Sequence, residues 1–554
     1  MAQSAAGPAP GVIPYRLWVG VTGHRTLPDD PALIERVKEA VGVVQNMAPS
    51  SPSTTVHVGV VSALAEGTDR IVAREVLAQP GGALEVALPL PTDEYVQDFE
   101  TDASVREFNG LLARAAIVTS LSLADSRSHA YERVGEYVVD RCDALIALWD
   151  GKPQRGQGGT AGVVELARKK GVPLLWVQTE APFDLVVETG SGLPDRAFKE
   201  LDAYNHRPMD AEHVERSVVA QSEALLAQSD EVGFPQERLR PFLAWLLPFM
   251  VRADLLAGRY QKLYYRLGNA LFMAAAAAVM VVAFQFVFWP ELHQLASIEV
   301  AIMVGLLVGL TLARRRRVHR RWISYRALAE QLRTTLFTAL AGVGTGRETT
   351  AEGLLQPDEA EDWLRRAFEE VWIARPHQAT PPSETESLKR FLSAAWVGDQ
   401  AKYHRRAGHR HHSKERRLTL VIEALFGLTL LAAIVHAGGW LEPKSEPPAA
   451  GPGTAPAAEA GGSDTAARWV VVLSISLPAI AGGLSGIRAQ REYVRNAERS
   501  RRMASNLESV QARLDAAQTL TDVRNVARTA EDTMLEENQD WFGVMRVHDF
   551  ELHV

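Results

Sequence analysis

Cysteine is almost missing from this sequence: Cys142 is the only one in 554 residues. No intrachain disulfide can form, and no CxxC pair exists to build a structural metal site. A dominant charge of one sign is missing too. The 59 Lys and Arg face 67 Asp and Glu, for a formal net charge of −8. A nucleic-acid footprint over the whole chain is therefore not expected. The stretch Met1 to Pro10 has neither a basic region nor an apolar core, so it does not read as a cleavable signal peptide. Apolar residues make up 47% and charged residues 23%, ordinary for a globular protein. That average conceals apolar and basic blocks, which emerge only on a pass along the chain.

Four apolar runs fill the second half. Leu267 to Trp289 carries no charge and is long enough for one helix across a hydrocarbon core of ~30 Å. Leu295 to Ala313 follows after a very short connection, so the two form a tight hairpin. Leu418 to Trp440 and Trp469 to Ile487 make a second pair. Arginines flank one side only. Arg314 to Arg317, Arg320 and Arg321 follow the second span, and Lys402 to Arg417 is basic before the third. Arg488, Arg491, Arg495, Arg499, Arg501 and Arg502 follow the fourth. The loop Pro290 to Leu295 has no Lys or Arg, and Glu442 to Ala467 has only Lys444. The positive-inside bias then predicts a multi-pass protein of the cytoplasmic membrane with both termini in the cytoplasm. The Pro/Ala/Gly/Glu-rich stretch Glu442 to Asp464 is expected to be a disordered linker outside.

Each hairpin leads into an amphipathic stripe. Trp322, Tyr325, Leu328, Ala329, Leu332 and Leu336 follow the first, and Tyr493, Ala497, Met503, Leu507, Val510 and Leu514 follow the second. Spacings near three and four predict helices that pack on each other, as ordinary core, or on a neighbouring subunit; a homo-oligomer is the expected assembly. Glu299 and Glu423 lie near span ends, where water can reach them. Gly482, Gly483 and Gly486 beyond Pro478 permit close helix contact. The histidines His404, His409, His411 and His412 sit among arginines and read as a basic helix beside anionic lipid, so no metal site is expected.

The first third alternates strands and helices. Arg16 to Val21, Val56 to Val61, Leu84 to Leu88, Ala116 to Leu121, Asp143 to Trp149 and Pro173 to Gln178 read as strands. Pro31 to Gln45 and Thr68 to Leu77 read as helices between them. The pattern predicts an α/β fold: a doubly wound, mostly parallel, Rossmann-like sheet, followed by an α-helical membrane domain of four transmembrane helices. Ligands of such sheets bind outside the carboxyl ends of the strands. Glycine-bearing loops fall at those ends: Gly20 to Arg25, Ser62 to Asp69, and Asp150 to Thr160. Glycine lets the backbone approach a ligand, and helix-start N–H groups favour phosphate. The expected ligand-binding set is Gly20, Thr22, Gly23, His24, Arg25, Ser62, Glu66, Gly67, Asp69, Arg133, Asp150, Gly156, Gly158, Gly159, Thr160 and Glu165. Trp149 and Tyr131 read as core aromatics with the option of stacking on a base.

Taken in order, Val19-Gly20-Val21-Thr22-Gly23-His24-Arg25, Ser62 to Asp69, Leu88-Pro89-Leu90-Pro91 with Tyr95 and Phe99, Cys142 to Gly151, and Gly158-Gly159-Thr160 resemble the SLOG superfamily. That group embraces DprA-like proteins and cytokinin-activating phosphoribohydrolases. The resemblance covers about residues 14–180. The membrane half is similar to the two-transmembrane effector units called SLATT, through Trp396 to His404 and Tyr325 to Arg333. What the resemblance implies is a sensor of a nucleotide-derived second messenger, such as a cyclic nucleotide or an ADP-ribose derivative, fused to a pore-forming or membrane-disrupting effector. The implied setting is bacterial antiphage defence by abortive infection, with the messenger's synthase as a partner and no required cofactor.

The enzymatic relatives carry a PGGxGTxxEE-like motif with an upstream arginine. Glu132-Arg133 matches the arginine region, but behind Thr160 come Ala161 and Gly162, and the first carboxylate is Glu165. A shift of three residues moves a helical carboxylate ~4.5 Å along the axis, beyond the ~3 Å reach of proton transfer. Binding is therefore expected rather than catalysis, with no catalytic residue assigned. The alternative is a membrane-tethered nucleoside-phosphate N-glycosidase or phosphoribohydrolase in which Glu66, Asp69 or Asp150 substitutes. The expected organisation is a disordered tail at 1–13, a Rossmannoid domain at 14–180 and a helical connector at 181–255. A first two-span unit at 256–345, a cytosolic helical linker at 346–384 and a second two-span unit at 385–554 complete it.

Overall fold

The computed structural model describes residues 10–121, 126–153, 159–190, 195–343, 362–376, 381–438 and 461–547. Two compact units emerge. The first comprises 1–231, 235–253 and 328–381, and the second 232–234, 254–327 and 382–554. The first thus takes in residues of the expected connector and of the expected linker.

The first unit is built on a seven-stranded sheet in the order β4-β3-β2-β1-β5-β6-β7. Its strands are β1 (Tyr15–Gly23), β2 (Val56–Ser62), β3 (Ala83–Leu88), β4 (Ile117–Ser120), β5 (Ala144–Trp149), β6 (Leu174–Gln178) and β7 (Leu185–Glu188). All pairings are parallel except that of β6 with β7. The expected doubly wound, mostly parallel sheet is present. β3 and β5 are buried at every residue, as strands covered on both faces must be. The edge strands β4 and β7 are only partly covered. Helix Pro31–Met47 starts where its sequence dictates: Asp30 accepts a hydrogen bond from the Ala32 N–H at 2.8 Å, and proline occupies the first turn. Its Leu33, Val37, Ala40, Val41 and Val44 form one buried stripe. Trp18, Val134, Val138, Leu145, Val164 and Ala167 belong to one continuous core cluster beneath helices Arg127–Arg141 and Thr160–Lys170.

Strand order fixes where a ligand can enter. From β1 the chain winds outward through β2, β3 and β4, then returns to place β5 on the other side of β1. The direction of winding therefore reverses between β1 and β5, and in open α/β sheets ligands bind in the crevice beyond the carboxyl ends of the strands at such a reversal.

The second unit is helical. Four helices are long and apolar enough to cross a membrane. The spans expected at 267–289, 295–313, 418–440 and 469–487 fall on helices Gln236–Phe288, Ala296–Arg315, Gly398–Ala437 and Gly461–Arg491, overrunning them by one residue at Trp289, Leu295 and Gly438, while 439 and 440 lie outside the described residues. Their large apolar side chains point outward, as in Leu307 (66% exposed) and Leu430 (63%), the pattern of helices solvated by lipid rather than water. The first and fourth spans pack antiparallel. Trp469 meets the rings of Phe284 and Phe288 at 5.3 and 5.2 Å, and near the other end Gly486 faces the ring of Phe272. Gly483 joins this contact, whereas Gly482 faces open space. Both amphipathic stripes are buried, with Tyr493 half-buried at the margin of the second.

Candidate functional site

The reversal between β1 and β5 brings two loops together. β1 ends at Gly23, followed by His24 and Arg25; β5 ends at Trp149, followed by Asp150, Gly151 and Lys152. The His24 N–H donates to the Leu148 carbonyl at 3.2 Å, continuing the strand pairing past β1. The Asp150 N–H in turn donates to His24 Nε2 at 3.2 Å, and Asp150 Oδ1 lies 3.3 Å from the same nitrogen. Lys152 closes the turn: its N–H donates to Asp150 Oδ1 at 3.1 Å and its Nζ sits 3.0 Å from Oδ2. The hydrogen bonds from Lys152 hold the Asp150 carboxyl down to about 2, so it is a carboxylate throughout the physiological range. Gly151 makes the turn possible with φ +76°, against the face of Trp176. Trp149 donates its ring N–H to the Lys152 carbonyl at 3.0 Å and belongs to the core, which settles its packing role.

A third loop is zipped onto the first. Gly67 and Thr68 begin helix Thr68–Leu77 after β2. The Thr68 N–H and hydroxyl both donate to the His24 carbonyl, at 3.2 and 3.0 Å. Thr68, absent from the expected set, is thus the residue that fixes the height of the His24–Arg25 loop. Gly23 is required there, since a Cβ would fall 2.2 Å from Thr68 Oγ1. Arg25 itself is exposed, with its guanidinium 6.0 Å from the ring centre of Tyr131.

Beneath this surface lies a polar layer. Ser62 donates to Asp69 at 2.8 Å and accepts from the Leu64 N–H at 2.9 Å, while Asp69 also accepts from the N–H groups of Ala63 and Ala65. Burial pushes the Asp69 carboxyl up to about 6, against the lowering effect of those hydrogen bonds and of nearby Arg25. Ser62 and Asp69 therefore organise the loop from inside. Glu66 accepts from the Ser104 hydroxyl, and buried Arg70 donates to the Leu64 carbonyl at 3.1 Å and the Ser104 carbonyl at 2.9 Å. Tyr131 and Arg127 both bond Asp98, forming a rim on the Tyr131 side.

The remaining expected residues divide. Thr22 is buried in β1 beside Ala147 of β5. Gly20 is a packing glycine, because a Cβ there would meet Cys142 Sγ and Val138 Cγ1 at 2.8 Å each. Gly159 caps helix Thr160–Lys170 without a side-chain hydrogen bond, leaving that helix start to main-chain donors. Glu165 is exposed one turn further along, and Arg133 is half-buried on helix Arg127–Arg141. Gly156 and Gly158 lie outside the described residues. Among the described residues, no group of three or more His, Cys, Asp or Glu is placed to hold a metal ion.

The assembled site carries two helix starts, Thr68, whose own N–H is taken by the His24 carbonyl, and Thr160, and the cationic side chains of Arg25 and Lys152 around the His24–Asp150 contact. Main-chain N–H groups with nearby cations are the chemistry of an anion cradle. The carboxylates are committed to the protein: Asp150 to Lys152, Asp69 to Ser62, Glu66 to Ser104. Compared with protein-family models and with curated proteins, the chain matches none.

Proposed function

We propose that this protein is a membrane effector whose α/β unit senses a phosphate-bearing, nucleotide-derived signal and triggers pore formation or membrane disruption by the four apolar helices. The observation that carries the reading is the position of His24-Arg25 and Asp150-Gly151-Lys152 at the reversal of strand order, the place where such sheets receive ligands. Binding rather than turnover is favoured because the carboxylates nearest the crevice are tied to neighbours and Glu165 stands exposed on its helix. The SLOG and SLATT resemblance supplies the wider setting of the proposal. In it, a synthase makes the messenger, and the protein sits in the bacterial inner membrane with both termini cytoplasmic. It acts there as a homo-oligomer in antiphage defence.

Ligand can drive such a response only through a difference in affinity between the resting and active states. The test is dye release from liposomes carrying the purified protein, titrated with cyclic nucleotides and with ADP-ribose. Release with one of these, shifted at least about tenfold in midpoint by Arg25→Ala, supports the reading, the shift being the ~1.4 kcal/mol of one lost charge-assisted contact. Consumption of the nucleotide without release would make the protein a tethered hydrolase.

A further inference from the structure

Helix Asp362–Ile373 lies in sequence between the second and third spans, and its sequence is amphipathic, with large apolar residues among the charged ones. In the first unit its Trp363, Leu364, Ala367, Phe368, Val371 and Trp372 are covered. Its Arg366, Glu369 and Glu370 are buried as well and engage the amino-terminal edge of the sheet. Arg366 donates to both oxygens of Asp143, at 2.5 and 2.9 Å, and to the Arg16 carbonyl at 3.2 Å. Glu370 receives Arg16 through two nitrogens at 2.7 and 2.9 Å, and meets His57 Nδ1 at 2.9 Å. Glu369 receives Arg141 at 2.6 Å, and Arg141 reaches on to Glu85 at 3.1 Å. Trp245, in the part of helix Gln236–Phe288 that belongs to this unit, donates its ring N–H to the Val371 carbonyl at 2.8 Å.

A passive tether has no use for such an arrangement. Ion pairs taken out of water give little net stability compared with apolar packing, so their physical effect is to fix one register. The groups held are also specific. Arg16 is the second residue of β1 and Asp143 immediately precedes β5. These are the two strands whose other ends carry His24 and Asp150, so both strands that frame the crevice are anchored by one helix.

We propose that helix Asp362–Ile373 is a lever: docked through Arg366–Asp143 and Glu370–Arg16 it holds the membrane helices at rest, and ligand at the crevice shifts β1 against β5 and releases it. The inference rests on the gated-effector reading and assigns that effector its internal restraint. The ion pairs supply the two-state element that coupling requires, being either engaged in one register or broken and rehydrated. Lying in sequence between the second and third spans, the helix is joined to both through the backbone.

The test uses full-length protein in dye-loaded liposomes: wild type, Arg366→Asp, Asp143→Arg, and the double exchange. Each single exchange places like charges together and is expected to raise nucleotide-free leakage at least about tenfold, while the double exchange restores the pair and returns leakage to the wild-type level. Hydrogen exchange over 144–149 shows whether the singles keep a folded sheet, and exchange over 362–373 in wild-type protein with ADP-ribose and with cyclic nucleotides reports release directly. Folded single variants as tight as wild type would overturn the lever. So would leakage triggered by a nucleotide with no loss of protection over 362–373. Should the singles lose protection over 144–149, that wild-type exchange result alone decides. A wild-type protein in which none of the nucleotides triggers leakage, beside single variants that leak freely, sinks the sensor reading and leaves the restraint standing.

Discussion

Gly67 lies against the main chain of Arg25: a Cβ at position 67 would fall 2.2 Å from the Arg25 carbonyl oxygen and 2.5 Å from that of His24. The glycine also holds φ +79°. Both facts make it the seam between the loops after β1 and β2.

Gly67→Ala therefore does two things at once. It places a side chain at φ +79°, ψ −116°, a backbone conformation essentially confined to glycine, at a cost of ~1–3 kcal/mol, and it pushes the His24-Arg25 loop off the Thr68 donors. The expected outcome is loss of at least about tenfold in nucleotide affinity, by calorimetry on the detergent-solubilised protein, with unchanged insertion into membranes. Gly42, in helix Pro31–Met47, has open space at its Cβ position, so Gly42→Ala serves as the control and should bind normally. Equal affinities for the two variants would remove the loops after β1 and β2 from the site.

Asp69 gives the first unit a pH dependence of unusual sign. Its carboxyl is raised from 3.8 to about 6 by burial, so below pH 3.8 the folded and unfolded states are both protonated and its contribution is fully present. Between those values the folded state holds the proton that the unfolded state has lost, and stability falls as pH rises through about 6. At ~1.4 kcal/mol per pKa unit, the loss is on the order of 2–3 kcal/mol. Asp69→Asn keeps an acceptor for Ser62 without the charge, and should flatten thermal stability between pH 4 and 7 relative to wild type. The Asp150 carboxyl, held to about 2, stays ionised in the folded state across that window, and its own contribution, of opposite sign, is lost only below about pH 5. An unchanged slope in Asp69→Asn would show that another group titrates.

Much of this architecture was legible from apolar pattern alone. Helix Thr68–Leu77 has the bounds its sequence predicts, and the six expected strands are present within two residues of their expected ends, because strands buried on both faces read as continuous apolar runs. β7 escaped because Leu185–Glu188 is a four-residue edge strand with one partner. The docking of Asp362–Ile373 escaped for a different reason. Its Arg366 and Glu370 look like surface charges until their partners, 223 and 354 residues away, are brought alongside. Likewise Thr68 lies within the Ser62–Asp69 stretch, but its own role depends on a carbonyl 44 residues earlier. Local pattern specifies elements, whereas ion pairs and capping contacts between distant segments become visible only after folding.

The contact between the first and fourth spans yields the most direct check on the helical unit. A Cβ built at Gly483 falls 3.5 Å from the Cβ of Ala276 and 3.1 Å from the Phe272 carbonyl oxygen. Disulfides join residues whose Cβ atoms lie ~3.5–4.5 Å apart, so Ala276→Cys with Gly483→Cys should cross-link under mild oxidation. The native thiol does not interfere once Cys142, the only cysteine, is replaced by alanine; burial already pushes that thiol up to about 12 and keeps it unreactive. Gly482→Cys is the matched control, since its Cβ position faces open space one residue along the same helix. The expected result is an intramolecular bond in the 276/483 pair, seen as a faster-migrating band that reductant abolishes, and none in the 276/482 pair. Equal cross-linking in the two pairs would mean that the fourth span rotates freely against the first. On the proposed effector function, dye release that is blocked by the bond and restored by reductant would show that this contact moves on activation, whereas release unaffected by the bond would show that it stays closed.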